Sequence, residues 1–222
     1  MRTLAFVVLA SCGTSGQTFK PAPLPELVKA QPADQRITAH EMLLVPGEQL
    51  IYEVHLHGIT VGKLEMDVSE TEVTSKFATD SVAAAFASVH HDLSTTLDRP
   101  NARAVAGLEQ FVMGDQTKNF QYDGKNGQTI HTTLGLLRGW VASDATPGFV
   151  DVQELGHKYR MVVKRPLVED LAGTKAFRVD TTVNTKEPLT IQIWFDTADG
   201  HKPLRFDVVN DDFHITANLI QT

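Results

Sequence analysis

The chain has 222 residues, with 20 Lys and Arg against 27 Asp and Glu, a formal net charge of −7 and 42% hydrophobic residues. That balance leaves no basic footprint for nucleic acid and disfavours electrostatic docking on anionic lipid. The single cysteine, Cys12, excludes a disulfide framework, and about 180 residues beyond the N-terminal segments suffice for one well-buried core.

In chain order, Arg2 precedes an apolar run, Leu4–Ala10, that leads into Leu9-Ala10-Ser11-Cys12. A branched apolar residue and two small ones before a cysteine read as a lipobox, so residues 1–11 are expected to be a signal peptide, removed on processing. The run is too short to span ~30 Å of hydrocarbon as a lasting helix, and no later segment is long and apolar enough to do so. The segment resembles that of bacterial lipoproteins. The resemblance implies diacylglycerol on the Cys12 sulfur and an acylated amine, with two or three chains at ~0.8 kcal/mol per buried methylene giving a durable anchor. Gly13 is not the aspartate that marks inner-membrane retention in enteric bacteria, which favours the outer membrane, facing the periplasm. An ordinary signal peptide that happens to carry a cysteine is the alternative. Residues 12–40 read as a tether, polar at first and then stiffened by Pro21, Pro23, Pro25 and Pro32. Leu24, Leu27 and Val28 within it have the spacing of one helical turn.

The single domain, 41–222, is expected to be mainly β. Leu50, Tyr52, Val54 and Leu56 alternate with polar residues, His57–Thr60 makes a turn and Val61–Val68 alternates again, which predicts a hairpin. Lys76–Val82 is expected to be a third strand, with Ala83–Val89 either a short helix or a bulged continuation. Leu93–Asp98, Gln110–Gly114 and Thr117–Tyr122 follow as strands. Thr132–Ser143 is the best helix, with Leu134, Leu137, Trp140 and Val141 at helical spacing and Gly135 and Gly139 weakening it. Phe149–Glu154, Lys158–Pro166, Thr174–Thr185, Leu189–Phe195, Leu204–Asn210 and Phe213–Leu219 complete the strands. So many strands with one or two short helices predict a single antiparallel curved sheet, a half-barrel or barrel-like, and not a parallel nucleotide-binding sheet.

The order of motifs resembles the bacterial domain of unknown function 3108 family. Pro46–Val54 with Gly58–Leu64 is similar to its opening. Ile193-Trp194-Phe195-Asp196 followed by Lys202–Phe206 is similar to its close, and Leu136–Arg138 and Gly173–Val179 fit between them. The stretch aligned with Ala83–Leu97 departs, being alanine-rich where the family is aromatic. The resemblance implies an exported β domain and brings no catalytic residue, cofactor or substrate.

His55 and His57, two apart on a strand, have a spacing that zinc sites use, but no third ligand follows at a diagnostic distance, and no metal or cofactor is expected. His90, His91 and Asp92 are triad-type residues whose neighbours point to opposite faces of a strand, and no Gly-x-Ser-x-Gly elbow exists. Asp196, Asp199, Asp211 and Asp212 read as turn capping, and Glu48, Glu53 and Glu65 as wet strand faces. Tyr52, Phe86, Trp140 and Trp194, with Phe111 and Phe120, are expected to line an apolar cavity or to be core. Together these features predict a cell-envelope lipoprotein, held to the membrane by its lipid, that binds a hydrophobic or amphiphilic envelope molecule without catalysis. The alternatives are an interaction module for an envelope protein partner and a cell-wall-directed hydrolase.

Overall fold

A computed structural model describes residues 35–38, 42–125, 127–143, 145–183, 189–198 and 200–221. The expected signal peptide, Cys12, the Leu24–Val28 turn, Asp199 and nearly all of the tether lie outside the described residues.

Alternation makes the first hairpin as expected. In β1 (Gln49–Leu56) the side chains of Leu50, Tyr52 and Val54 are buried while their neighbours are more open. Its turn to β2 (Ile59–Val68) is only His57-Gly58, with φ of +50° and +82°. Two successive left-handed residues match the strand twist of a two-residue hairpin. His57 therefore sits in the turn and does not share a strand face with His55. β3 (Glu72–Thr79) ends earlier than the sequence predicted, because Asp80 caps a four-residue helix, α1 (Ser81–Ala84). Its carboxylate accepts from Val82 N–H at 3.0 Å and Ala83 N–H at 2.8 Å, so the alanine-rich stretch opens as helix, which ends at Ala84, and Val89 begins the next strand.

β4 (Val89–Asp98), β5 (Arg103–Met113) and β6 (Gln116–Asp123) continue the meander. A two-residue strand, β7 (Gln128–Thr129), leads into α2 (Ile130–Val141). β8 (Gly148–Glu154), β9 (His157–Val163), β10 (Leu167–Leu171), β11 (Thr174–Val183), β12 (Leu189–Asp196), β13 (Pro203–Val209) and β14 (His214–Gln221) complete the chain.

All fourteen strands belong to one sheet in the order β6-β5-β4-β3-β2-β1-β14-β13-β12-β11-β9-β8-β7, with β10 beside β11. Every pairing is antiparallel except the short β7–β8 contact. The protein is mainly β, a curled and nearly closed barrel-like sheet with two helices. Side chains, not a backbone ladder, draw the two ends of the sheet together. Gln153 on β8 donates to the carbonyls of Asp123 at 3.1 Å and Gly127 at 3.0 Å.

β1, β3, β5, β8, β11 and β13 all run the same way, so the β1–β2, β3–β4, β5–β6, β8–β9 and β13–β14 connections gather at one end, the mouth. The β2–β3, β4–β5 and β12–β13 connections gather at the other, the floor. α2 fills the floor half from inside. Eleven of its twelve residues are buried, the pattern of a helix enclosed by protein on all sides. The side chain of Thr129 accepts from Thr132 N–H, completing a capping box at its start. Gly135 lets Met42 and Leu44 lie directly on the helix. Further along, the buried Arg138 binds Glu48 at 2.7 Å and the Gly200 carbonyl at 2.6 Å. Glu48 is thus one half of a buried ion pair and not a wet strand face, because an arginine inside the barrel needs a counter-charge.

The packed domain also reaches back before residue 41. Ile37 N–H donates to the Phe149 carbonyl and Phe149 N–H to the Gln35 carbonyl, both at 2.9 Å. Ile37 is buried, and Arg36 pairs with Asp151 at 2.6 Å.

Candidate functional site

Successive side chains on a strand point to opposite faces, so the register separates the inside of the barrel from the outside. Near the floor the inward positions are closed: Leu50, Val73, Val179 and Phe195 are at 0% exposure. Towards the mouth the inward row of β11 stays buried through Thr181 and Val183, while other inward rows open. Leu56 on β1, Phe77 on β3, Ile191 on β12, Phe206 on β13 and Ile215 on β14 are only partly buried, though they pack on the core. On β5 the row passes from buried Ala104 through Glu109 to half-buried Phe111 and Met113. The barrel is a cup, filled by α2 below and lined with accessible apolar side chains above.

One wall of this cup is polar. Glu109 occupies an inward position of β5 at 3% exposure. Its carboxylate accepts hydrogen bonds from the Tyr122 hydroxyl on β6 and, at 2.7 Å, from Leu155 N–H in the β8–β9 turn. His91 Nε2 on β4 lies 2.6 Å from its other oxygen. Gly156 N–H donates to the Tyr122 oxygen at 3.2 Å. One buried carboxylate thus bridges the ends of the sheet where backbone pairing stops. Leaving such a group unpaired in the interior is costly, and three partners on three segments prevent it.

Behind this bridge, His131 on α2 sits between two hydroxyls, Nδ1 at 3.0 Å from Thr95 and Nε2 at 2.9 Å from Ser75. Thr95 donates onward to Thr129 at 3.0 Å, so its oxygen is free to accept from Nδ1–H while Nε2 accepts from Ser75. Burial, with a smaller contribution from His91, lowers the His131 pKa to about 3. His131 is therefore neutral at ordinary pH.

Glu154 follows Val150 and Val152 on the inward row of β8 and is half-buried. Burial first, and then the neighbouring Glu109 charge, raise its pKa to about 7, against a smaller opposing effect of His91. Tyr159 on β9 is held above its ordinary value by burial and by the same two carboxyls. The wall can therefore gain and lose a proton near neutrality beside an apolar lumen.

The residues expected to line a cavity do not come together. Tyr52 is buried midway along β1, its hydroxyl donating to the Pro203 carbonyl at 2.8 Å and its ring 5.3 Å from Phe206. Trp140, on α2, donates to the Thr146 carbonyl at 3.0 Å. It lines a separate hollow of about 420 Å³ below the floor, between the end of α2 and residues 35–38. Trp194 points outward, because Ile193 and Phe195 take the inward positions of β12. It is buried on the outer surface instead, with Arg205 5.1 Å from its ring and Glu169 of β10 accepting from its indole N–H at 2.5 Å. Phe86, just past α1, is 72% exposed. Phe111 and Phe120 do face inward, Phe111 with its ring 6.1 Å from His91.

His55 pairs with Glu53 at 3.0 Å and His90 with Asp92 at 2.8 Å. Among the described residues no three His, Cys, Asp or Glu side chains gather as a metal-holding group. Asp196 and Asn210 cap turns through Ala198 N–H at 2.9 Å and Phe213 N–H at 2.8 Å. Sequence reasoning passed over Glu109 and Glu154. Each is a carboxylate in the apolar phase of an alternating strand, and that misplaced charge is the signal that marks them.

No model of a known protein family matches the chain, and no curated protein matches it. Among solved structures it is similar to a beta-barrel-like protein of domain of unknown function DUF1849 from Brucella abortus. The likeness has a TM-score of 0.48 and 10% sequence identity over 78% of this chain and 95% of that one.

Proposed function

We propose that this domain binds an amphiphilic envelope molecule, without changing it chemically, in the mouth half of its barrel. The single observation behind this reading is the gradient along the inward rows, closed at Leu50, Val73 and Phe195 and open at Leu56, Phe77, Ile191 and Ile215. A concave, mostly apolar surface with a few convergent polar groups is the usual form of a small-molecule site. In this reading a lipid on Cys12 holds the cup at the outer membrane, facing the periplasm. Membership of the domain of unknown function 3108 family belongs to the same proposal, on the motifs Pro46–Leu64 and Ile193–Phe206.

The test uses the full chain carrying Cys12→Ser, so that no attached acyl chain competes for the cup. The environment-sensitive probe N-phenyl-1-naphthylamine should bind saturably, and lipid extracted from envelope membranes should displace it. Ile191→Trp and Ile215→Trp, which put bulk into open space and not into the packed floor, should each weaken the probe at least tenfold with the thermal melt retained. Absence of binding, or binding indifferent to both substitutions, refutes the cup as the site.

A second reading, an interaction module for an envelope protein, draws on the mouth rim. Ile59, Val82 and Phe86 are 71%, 70% and 72% exposed there, an apolar display of the kind that marks contact surfaces. Val82→Asp and Phe86→Asp that abolish a specific envelope crosslink yet leave probe binding intact would favour it.

A further inference from the structure

The polar wall of the cup also carries information about its occupant, an inference that rests on the amphiphile reading above. Among the described residues the ionisable groups fully buried inside the barrel are already matched. Arg138 is taken by Glu48 at 2.7 Å, Glu109 by His91, Tyr122 and Leu155 N–H, and His131 by Thr95 and Ser75. Half-buried Glu154 differs. Among the described residues its carboxyl has no hydrogen bond or ion pair, although it points inward from β8 beside Glu109.

The groups facing it from the elements around are His157, its exposed register partner on β9, with Tyr159 on the same strand, His91 on β4, Glu109 on β5, Tyr122 on β6 and His131 on α2. His91 is held by Glu109, and His131 is neutral. On β6 the next inward cation is the exposed Lys118, beyond Phe120 towards the mouth. Two carboxyls at the edge of an apolar lumen leave a net negative potential whenever His91 and His157 carry no charge, in a medium where charge is weakly screened. A carboxylate or phosphate head would add a third like charge. A hydroxyl head would satisfy a hydrogen bond and leave the repulsion standing. A cation answers both needs.

We propose that the molecule held in the cup carries a positively charged amine head, placed against Glu154 and Glu109, with its apolar chain running along Leu56, Phe77, Ile191 and Phe206. Ionised Glu154 is the binding form, so the selectivity for an amine grows as pH rises through about 7.

The test is competition for the bound probe by three amphiphiles of equal chain length, dodecylamine, dodecanol and dodecanoate, on the full chain carrying Cys12→Ser. At pH 8 dodecylamine should displace the probe at least tenfold better than the other two. The preference should shrink towards pH 5.5, and Glu154→Gln should remove most of it. Equal affinities, a preference for dodecanoate, or an amine preference that survives Glu154→Gln would overturn the inference while leaving the cup as a binding site. If none of the three displaces the probe, the amphiphile reading itself falls and takes this inference with it.

Discussion

Replacing Glu154 by glutamine should stabilise the protein, and only at higher pH. The folded chain holds the Glu154 carboxyl at about 7 against an ordinary value of 4.5. Between those values the folded state binds more protons than the unfolded one, so its stability falls as pH rises. The contribution is fully present below 4.5 and is lost as pH passes 7. At ~1.4 kcal/mol for each tenfold change, the wild-type carboxylate costs at most about 3–4 kcal/mol at pH 8. Solvent reaching this half-buried group reduces that to about 2 kcal/mol. Glutamine has the same shape and never ionises. For a chain of this size ~2–4 °C accompanies each kcal/mol, so Glu154→Gln should melt about 4–8 °C above wild type at pH 8. The two should coincide at pH 4.5. The assay is a pair of calorimetric melts at each pH, compared as differences so that other carboxyls cancel. An equal offset at both pH values, or a variant less stable at pH 8, would refute the reasoning.

Removing one half of the floor ion pair should be severe: Arg138→Met leaves Glu48 buried and unpaired and should cost ~3–5 kcal/mol in urea unfolding, with Glu48→Leu on the same chain recovering part of it. A single-variant loss below ~1 kcal/mol would show that the pair is not buried in solution. Gly135→Ala places a Cβ 2.6 Å from Leu44 Cγ and 2.7 Å from Met42 Cγ. Overpacking of ~1–3 kcal/mol should outweigh the ~1 kcal/mol helix gain and lower the melting temperature, so a stabilised variant would contradict the close approach. His131, held near 3 against an ordinary 6.5, gives stability that is present above 6.5 and lost as pH falls towards 3, because the unfolded chain takes the proton first. His131→Gln should flatten that acid limb in melts from pH 7 to 4, and an unchanged slope would count against a neutral, buried ring.

The hairpins were legible because one face of each strand packs on the core and the other does not, so Leu50-x-Tyr52-x-Val54 declares its geometry locally. β10 was not, since Leu167-Val168-Glu169-Asp170-Leu171 has no period of two and is held only along β11. α2 was found about two residues late. Thr129 and Thr132 cap it with side chains, and an enclosed helix has no polar stripe to fix its phase. The candidate site was largely hidden. Glu109, Glu154, His91 and Tyr122 come from four strands and meet only when the sheet curls. The aromatic residues singled out instead were chosen by type, and alternation at Ile193-Trp194-Phe195 already assigned Trp194 and its neighbours to opposite faces.

The pairing of β1 with β14 bears on how the molecule is made. The meander β1–β6 is assembled early in synthesis, but its inner edge stays open until residues 214–221 emerge to lie between it and β13. The two halves of the wall are sewn together by the last strand of the barrel. Closure of the sheet therefore waits for an eight-residue strand that lies far along the chain from the meander it completes.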